Sequence, residues 1–174
     1  MKITIRPMMQ KDRPIIAKIL RNTPEFKPSE VTVAEEVIDS YLRDSISSGY
    51  HIVVAEVDST VTGYISYGPT PMTEGTWDMY WEAVAPEMQG QGIGSVLMDY
   101  AEKEIITAKG RIAIIETSSS PAYKKTRHFH FSHGYEVICR IPDFYVLGDD
   151  KLILQKRLRL NQGKRVIQHT DNRS

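Results

Sequence analysis

The run Val84-Ala85-Pro86-Glu87-Met88-Gln89-Gly90-Gln91-Gly92-Ile93-Gly94-Ser95 decides how the rest of the chain is read. An apolar stretch stops at Pro86, a glycine-punctuated loop follows, and a helical apolar pattern begins at Ile93. The order is strand, turn, helix N-terminus. The first turn of a helix carries amide hydrogens without intrahelical partners and the positive end of the helix dipole. A loop whose glycines let the backbone come close turns those amides into an anion site. The run therefore predicts a site for a phosphate-bearing cofactor.

The spacing narrows the choice. A Walker loop is excluded, because no Gly-Lys-Ser/Thr follows. A dinucleotide fingerprint fits poorly, because Ser95 and Leu97 stand where its last glycine would fall. The spacing that does fit is Gln-x-x-Gly-x-Gly, read as Gln89, Gly92 and Gly94.

Outward from this run, residues 76–84 read as the strand that feeds the loop. Residues 92–109 read as a helix with Ile93, Val96, Leu97, Tyr100, Ala101 and Ile105 on one face. Upstream, residues 3–7 alternate like a short strand, and residues 11–21 form a helix with Pro14 in its first turn. A second helix reaches Leu42, capped by Ser29 or Thr32, with Val33, Val37 and Ile38 inward. Residues 50–57 and 61–67 read as a hairpin about Asp58-Ser59-Thr60. Downstream, residues 111–117 form a buried strand, and residues 121–133 a helix that Gly134 ends as a left-handed cap. Residues 135–140 and 151–157 are strands joined by a long loop around residues 142–150. One domain over residues 1–160 is expected, followed by a loose polar tail over residues 161–174. The crossover helix makes strands 76–84 and 111–117 parallel neighbours.

Composition sets the outer bounds. At 174 residues the chain suits one domain with a substantial core. Lys+Arg 22 against Asp+Glu 22 leaves no net charge, which argues against general nucleic-acid binding. The single cysteine, Cys139, cannot form an internal disulfide, and the strand around it suggests a core position. No stretch has the length of a membrane span and no apolar signal core opens the chain, so a soluble cytoplasmic protein is expected.

With its preceding Ala-Val-Ala-Pro, the Gln89–Gly94 pattern resembles the acetyl-CoA loop of the GNAT superfamily of N-acetyltransferases. The order of elements over residues 3–158 resembles that family too. The resemblance implies an α/β (α+β) fold: a central mixed, mostly antiparallel seven-stranded sheet flanked by about four helices. It also implies that strands 76–84 and 111–117 splay apart around acetyl-CoA. The pantetheine arm would then pair with backbone at Ala83, Val84 and Ala85. The pyrophosphate would take amides across Gln89, Gly90, Gln91, Gly92, Ile93, Gly94 and Ser95, and an amide near Val84 would serve as oxyanion donor.

Acetyl transfer to an amine needs a path for the amine's proton, a donor to the developing oxyanion, and a proton for the leaving thiolate. Strand alternation puts Asp78, Tyr80 and Glu82 on one face of residues 76–84, with Trp77, Met79 and Trp81 on the other. Glu116 ends its strand after an apolar run, where ligands gather in parallel arrangements. It matches a glutamate base of ribosomal-protein and amino-terminal acetylating relatives, and Asp78 matches the base of histone-type relatives. Glu116 and Glu82 rank ahead of Asp78. Proton removal through ordered water is a further route.

The acid departs from the family pattern. Relatives carry a tyrosine in the helix before the Gly-aromatic turn, and here His130 stands in its place. A histidine can donate a proton near neutral pH; alternatively the thiolate leaves unaided. Tyr123 is a second candidate donor. His128, His130 and His133 do not share one helix face, so no metal site is expected.

The resemblance places the acceptor pocket at residues 26–33 and at the loop of residues 142–150, where Phe144, Tyr145 and Asp149 or Asp150 would meet the amine. The implied reaction is direct transfer from acetyl-CoA to a primary amine, on a small molecule or a protein, in a ternary complex. A non-catalytic acyl-CoA sensor with the same fold is the alternative. Exposed strand edges leave a homodimer open.

Overall fold

The computed structural model describes residues 2–158, so the expected tail over residues 161–174 lies outside the described residues. Seven strands form where seven were read: β1 (Ile3–Pro7), β2 (His51–Val57), β3 (Thr60–Pro69), β4 (Thr76–Val84), β5 (Ile112–Ser118), β6 (Glu136–Val146) and β7 (Asp149–Arg157). They make one sheet in the order β1-β2-β3-β4-β5-β7-β6. Every neighbouring pair is antiparallel except β4 and β5, whose helical crossover makes them parallel.

Two helices, α1 (Arg13–Arg21) and α2 (Pro28–Arg43), cover one face of the sheet. Their Ile16, Leu20, Ala34 and Ile38 are buried against Ile52, Val54 and Tyr64. The other face carries α3 (Ile93–Thr107) and α4 (Lys124–Ser132), with Ile93, Leu97, Ala101 and Ile105 packed on Ile65, Met79 and Ile115. Each fully buried Ile or Leu side chain among these is worth about 1.5–3 kcal/mol against its exposed state. Val96, expected inward, lies at the edge of this stripe and is exposed.

Several local expectations are corrected. The N-cap of α2 is Lys27, not Ser29 or Thr32: Pro28 opens the helix, and the Glu30 carboxylate accepts the Lys27 amide at 2.7 Å. This phase turns Val31 and Ala34 inward and leaves Val33 exposed. Residues 121–133 are not one helix, because a 3-10 turn over Pro121–Tyr123 precedes α4. Cys139 is exposed rather than core, since β6 is the edge strand.

The long loop foreseen over residues 142–150 is absent. β6 runs on to Val146 and meets β7 at Asp149 through a turn on Leu147 and Gly148, the latter at φ +81°. Between the pairs Ile141–Lys151 and Val146–Asp149, β6 has four residues (142–145) where β7 has one, so it bulges. Asp150 holds the bulge: its carboxylate accepts the Asp143 amide at 2.9 Å and pairs with the Arg140 guanidinium. The acidic turn that looked available for a ligand is therefore partly spent on the hairpin itself.

The feature that positions the site is a wedge. β4 and β5 pair only over Thr76–Ile112, Trp77–Ala113, Asp78–Ile114 and Met79–Ile115. Beyond that, β4 continues against β3 to Val84, while β5 continues against β7 to Ser118. The parting begins at a β-bulge. Tyr67 pairs Met79 and Ser66 pairs Trp81, so Tyr80 is the extra residue.

Candidate functional site

The bulge at Tyr80 reverses part of the face assignment made from alternation. Trp77 and Met79 pack on the α3 face, but Trp81 and Ala83 join the α1/α2 core. Asp78, opposite Gly68, stays on the α1/α2 face, whereas Glu82, opposite Ile65, lies on the α3 face. Asp78 and Glu82 thus do not share a face; they bracket the wedge from its two sides.

A cavity of about 1180 Å³ fills the wedge and is lined from both faces of the sheet. Its wall includes β4 from Asp78 to Val84, the loop Met88–Gly90 with Gly92–Ser95, β5 from Ile114 to Ser118, and side chains of α4. The α1–α2 connection and the β6–β7 hairpin complete it through Phe26, Glu30, Tyr145 and Asp149. Phe144 is not among the lining residues; it lies exposed with the Lys151 ammonium over its ring.

At the α3 end, Gly92 is the helix N-cap at φ +82°, and Gly90 stands at φ +74°. Both are in the left-handed region that disfavours side chains. A Cβ on either would meet nothing within 4 Å, so the concave side of the loop is open. No side chain caps α3, and its first internal hydrogen bond is donated by Val96 to Gly92. The amides of Ile93, Gly94 and Ser95 are therefore free for an anion. Gly94 has a different reason to be glycine: a Cβ there would stand 2.9 Å from Glu82 Oε1 and 3.4 Å from the Phe129 ring.

Just past the end of β4, the Ala85 amide donates to the Thr62 carbonyl at 2.8 Å, so that amide is spent within the protein. Successive amides of a strand point to opposite sides. The Val84 amide therefore points away from β3 into the wedge, as an oxyanion donor requires. The Val84 carbonyl accepts the Gln89 side-chain amide at 3.2 Å, which ties the loop back to the strand.

The titratable candidates separate by environment. Glu82 Oε2 is buried without a hydrogen-bond partner among the described residues, and burial pushes this carboxyl up to about 8. It is a neutral acid at neutral pH. Glu116 lies on the opposite face, exposed, in an ion pair with the Lys151 ammonium. Asp78 accepts the Thr70 hydroxyl at 2.6 Å. His130 is 7% exposed, with Phe129 and Tyr135 against its ring, and burial followed by His133 pulls it down to about 4. Its ring is neutral at neutral pH. Tyr123 is also committed elsewhere: its hydroxyl donates to Glu30 Oε1 at 2.6 Å. Burial and Glu30 together hold its proton well above the usual phenol range.

Asp149 is buried and accepts the Ser118 hydroxyl. Tyr145 lines the cavity, its phenol raised first by burial and then by Glu116, Asp149 and Glu30. No cluster of three or more metal-ligating side chains occurs among the described residues.

Residues missed from sequence are Glu25, Thr117 and Lys125, which line the cavity, as do Trp81 and Glu30, the latter inside the expected stretch of residues 26–33 but not singled out there. The Pro28-Ser29-Glu30 start of α2 was the available signal for Glu30, since Pro at the first helical position and Glu at the third mark a helix start. Nothing local marks Thr117, whose Oγ1 is buried without a partner among the described residues.

A family model described as an acetyltransferase (GNAT) domain matches residues 48–137. Among curated proteins none matches this chain. Among solved structures, a GNAT-family protein from Desulfovibrio desulfuricans is similar at 35% identity and TM-score 0.87, covering 91% of this chain and 100% of that one. The ribosomal-protein-alanine N-acetyltransferase from Brucella melitensis is similar at 26% identity and TM-score 0.72, covering 89% and 99%. A protein from Salmonella typhimurium solved with acetyl-CoA shares the fold at 22% identity and TM-score 0.69, covering 90% and 94%.

Proposed function

Because this chain belongs to the GNAT superfamily of acetyl-CoA-dependent N-acetyltransferases, we propose that it transfers acetyl directly to a primary amine, on a small molecule or a protein, in a ternary complex. The observation that carries the reading is the wedge: free first-turn amides of α3 open into the same cavity as a carboxylate-rich mouth on the opposite sheet face. Acetyl-CoA, when bound, supplies an activated thioester.

The chain's own groups divide the remaining work. The amides of Ile93, Gly94 and Ser95 hold phosphate charge, helped by the dipole of α3. The Val84 amide faces the wedge and stabilises the carbonyl oxygen as it gains charge. Glu116, on the acceptor side, takes the proton that the amine must lose. Asp78 is deeper in the wedge and already accepts the Thr70 hydroxyl, so less of its carboxylate is free to meet an amine. Glu82, a neutral carboxyl on the cofactor face, returns a proton on the thiolate side. This takes over the part first given to His130, which is a neutral imidazole, and to Tyr123, whose hydroxyl donates to Glu30.

Direct transfer is tested by initial-rate kinetics with both substrates varied. Intersecting lines are expected, and a ping-pong pattern contradicts the reading. Glu116→Gln should lower kcat by about 10²-fold with little change in the KM for acetyl-CoA. An unchanged kcat would remove Glu116 from the role.

A further inference from the structure

The charges lining the cavity are sorted. The cofactor side presents amides, Lys125, the neutral His130 and the neutral Glu82. The α1/α2 side presents Glu25, Glu30, Asp78, Glu116 and Asp149. Four of these crowd two phenols: Glu116, Asp149 and Glu30 act on Tyr145, while Glu30 and Glu25 act on Tyr123. The cations near this mouth among the described residues are Lys27 in the lining and Lys151, which is spent on Glu116. The whole chain is neutral, so this excess of negative charge is local. Aromatic walls accompany it, with Phe26 edge-on to Trp81 at a centroid distance of 5.5 Å.

A ring of carboxylates is a poor environment for the reacting amine alone. Negative charge favours the ammonium, which cannot attack, and so opposes the reaction it would serve. The same ring is productive for a positive charge that stays on the acceptor throughout. Carboxylates and aromatic faces together are the chemistry that holds an alkylammonium. On the cofactor side of the same cavity, Thr117 and His130, both more than nine-tenths buried, each keep a polar atom unpartnered among the described residues. The Tyr123–Glu30 bond ties the wall after β5 to the first turn of α2.

We infer that the acceptor is a small aliphatic amine carrying a second positive charge that it keeps through the reaction, held by Glu25, Glu30 and Asp149 while its other amine reacts. This rests on the acetyl-transfer reading. The test compares butylamine, 1,4-diaminobutane and a short peptide with a free amino terminus and no basic side chain. Each is titrated calorimetrically into the CoA-saturated protein and then assayed with acetyl-CoA.

The inference expects the diamine to bind, and to be acetylated with kcat/KM, at least about tenfold better than the monoamine or the peptide. The advantage should shrink at high salt. Glu25→Gln, whose carboxylate supports no structural bond among those described, should pull the diamine-to-monoamine ratio toward one. Equal binding of monoamine and diamine, or preference for the peptide, overturns the inference. Acetyl-CoA turnover in that case leaves the transfer reading standing. Diamine binding without turnover of any amine instead counts against transfer and for this mouth.

Discussion

Glu82 and Glu116 are the same residue type in one cavity, yet they face opposite chemical tasks because their surroundings differ. Glu116 has a lysine and solvent; Glu82 has Gly94, the Phe129 edge and no partner for Oε2. A carboxyl raised to about 8 in the folded state and ordinary in the unfolded state costs stability between those values, because the unfolded chain sheds its proton first. Stability should therefore decline as pH rises from about 4.5 toward 8, and Glu82→Gln should remove that decline. Melting temperatures of both proteins across this range check it. Parallel curves would mean that Glu82 is ionised in the native protein. The sequence marked both glutamates as candidates but could not tell them apart. Alternation put Glu82 on the face of Asp78, and the extra residue at Tyr80 moved it to the other. His130 was legible as the odd residue in the tyrosine position; its neutrality was not, because that follows from Phe129, Tyr135 and His133 closing over the ring.

At the scale of elements, the strand–loop–helix run was readable nearly to the residue. Its order depends on local rules: a proline at the strand end, glycines at positive φ, and an apolar stripe of helical period. The hairpin of β6 and β7 was not. Pro142 and Asp143 read as breakers, and the strand continues through them by bulging around Asp150. Two substitutions separate the jobs of the loop glycines. Gly92→Ala forces an alanine to φ +82°, at about 1–2 kcal/mol, and tilts the free amides, so the KM for acetyl-CoA should rise. Gly94→Ala has an acceptable backbone but drives Cβ toward Glu82 Oε1, so it should alter the basic limb of the pH–rate profile. If both variants changed only acetyl-CoA affinity, Glu82 would have no part beyond packing.

For the whole molecule, two cores on opposite faces of one sheet hold the two strands that part, and the cavity exists because neither core bridges the parting. Parallel pairing of β4 and β5 was legible from the crossover helix between them. The opening beyond Met79 and Ile115 was expected only through family resemblance, since it arises from competition: β3 keeps one strand and β7 the other. The central claim is that this parting, with the free amides of α3 at its end, is a coenzyme A site. Thermal unfolding with acetyl-CoA, CoA and ATP in parallel tests it most directly, because a ligand that binds only the folded state stabilises it by about 2.7 kcal/mol at a hundredfold excess over Kd. The account predicts a concentration-dependent rise in Tm with acetyl-CoA and with CoA, and none with ATP. An unchanged Tm with both CoA species would contradict it.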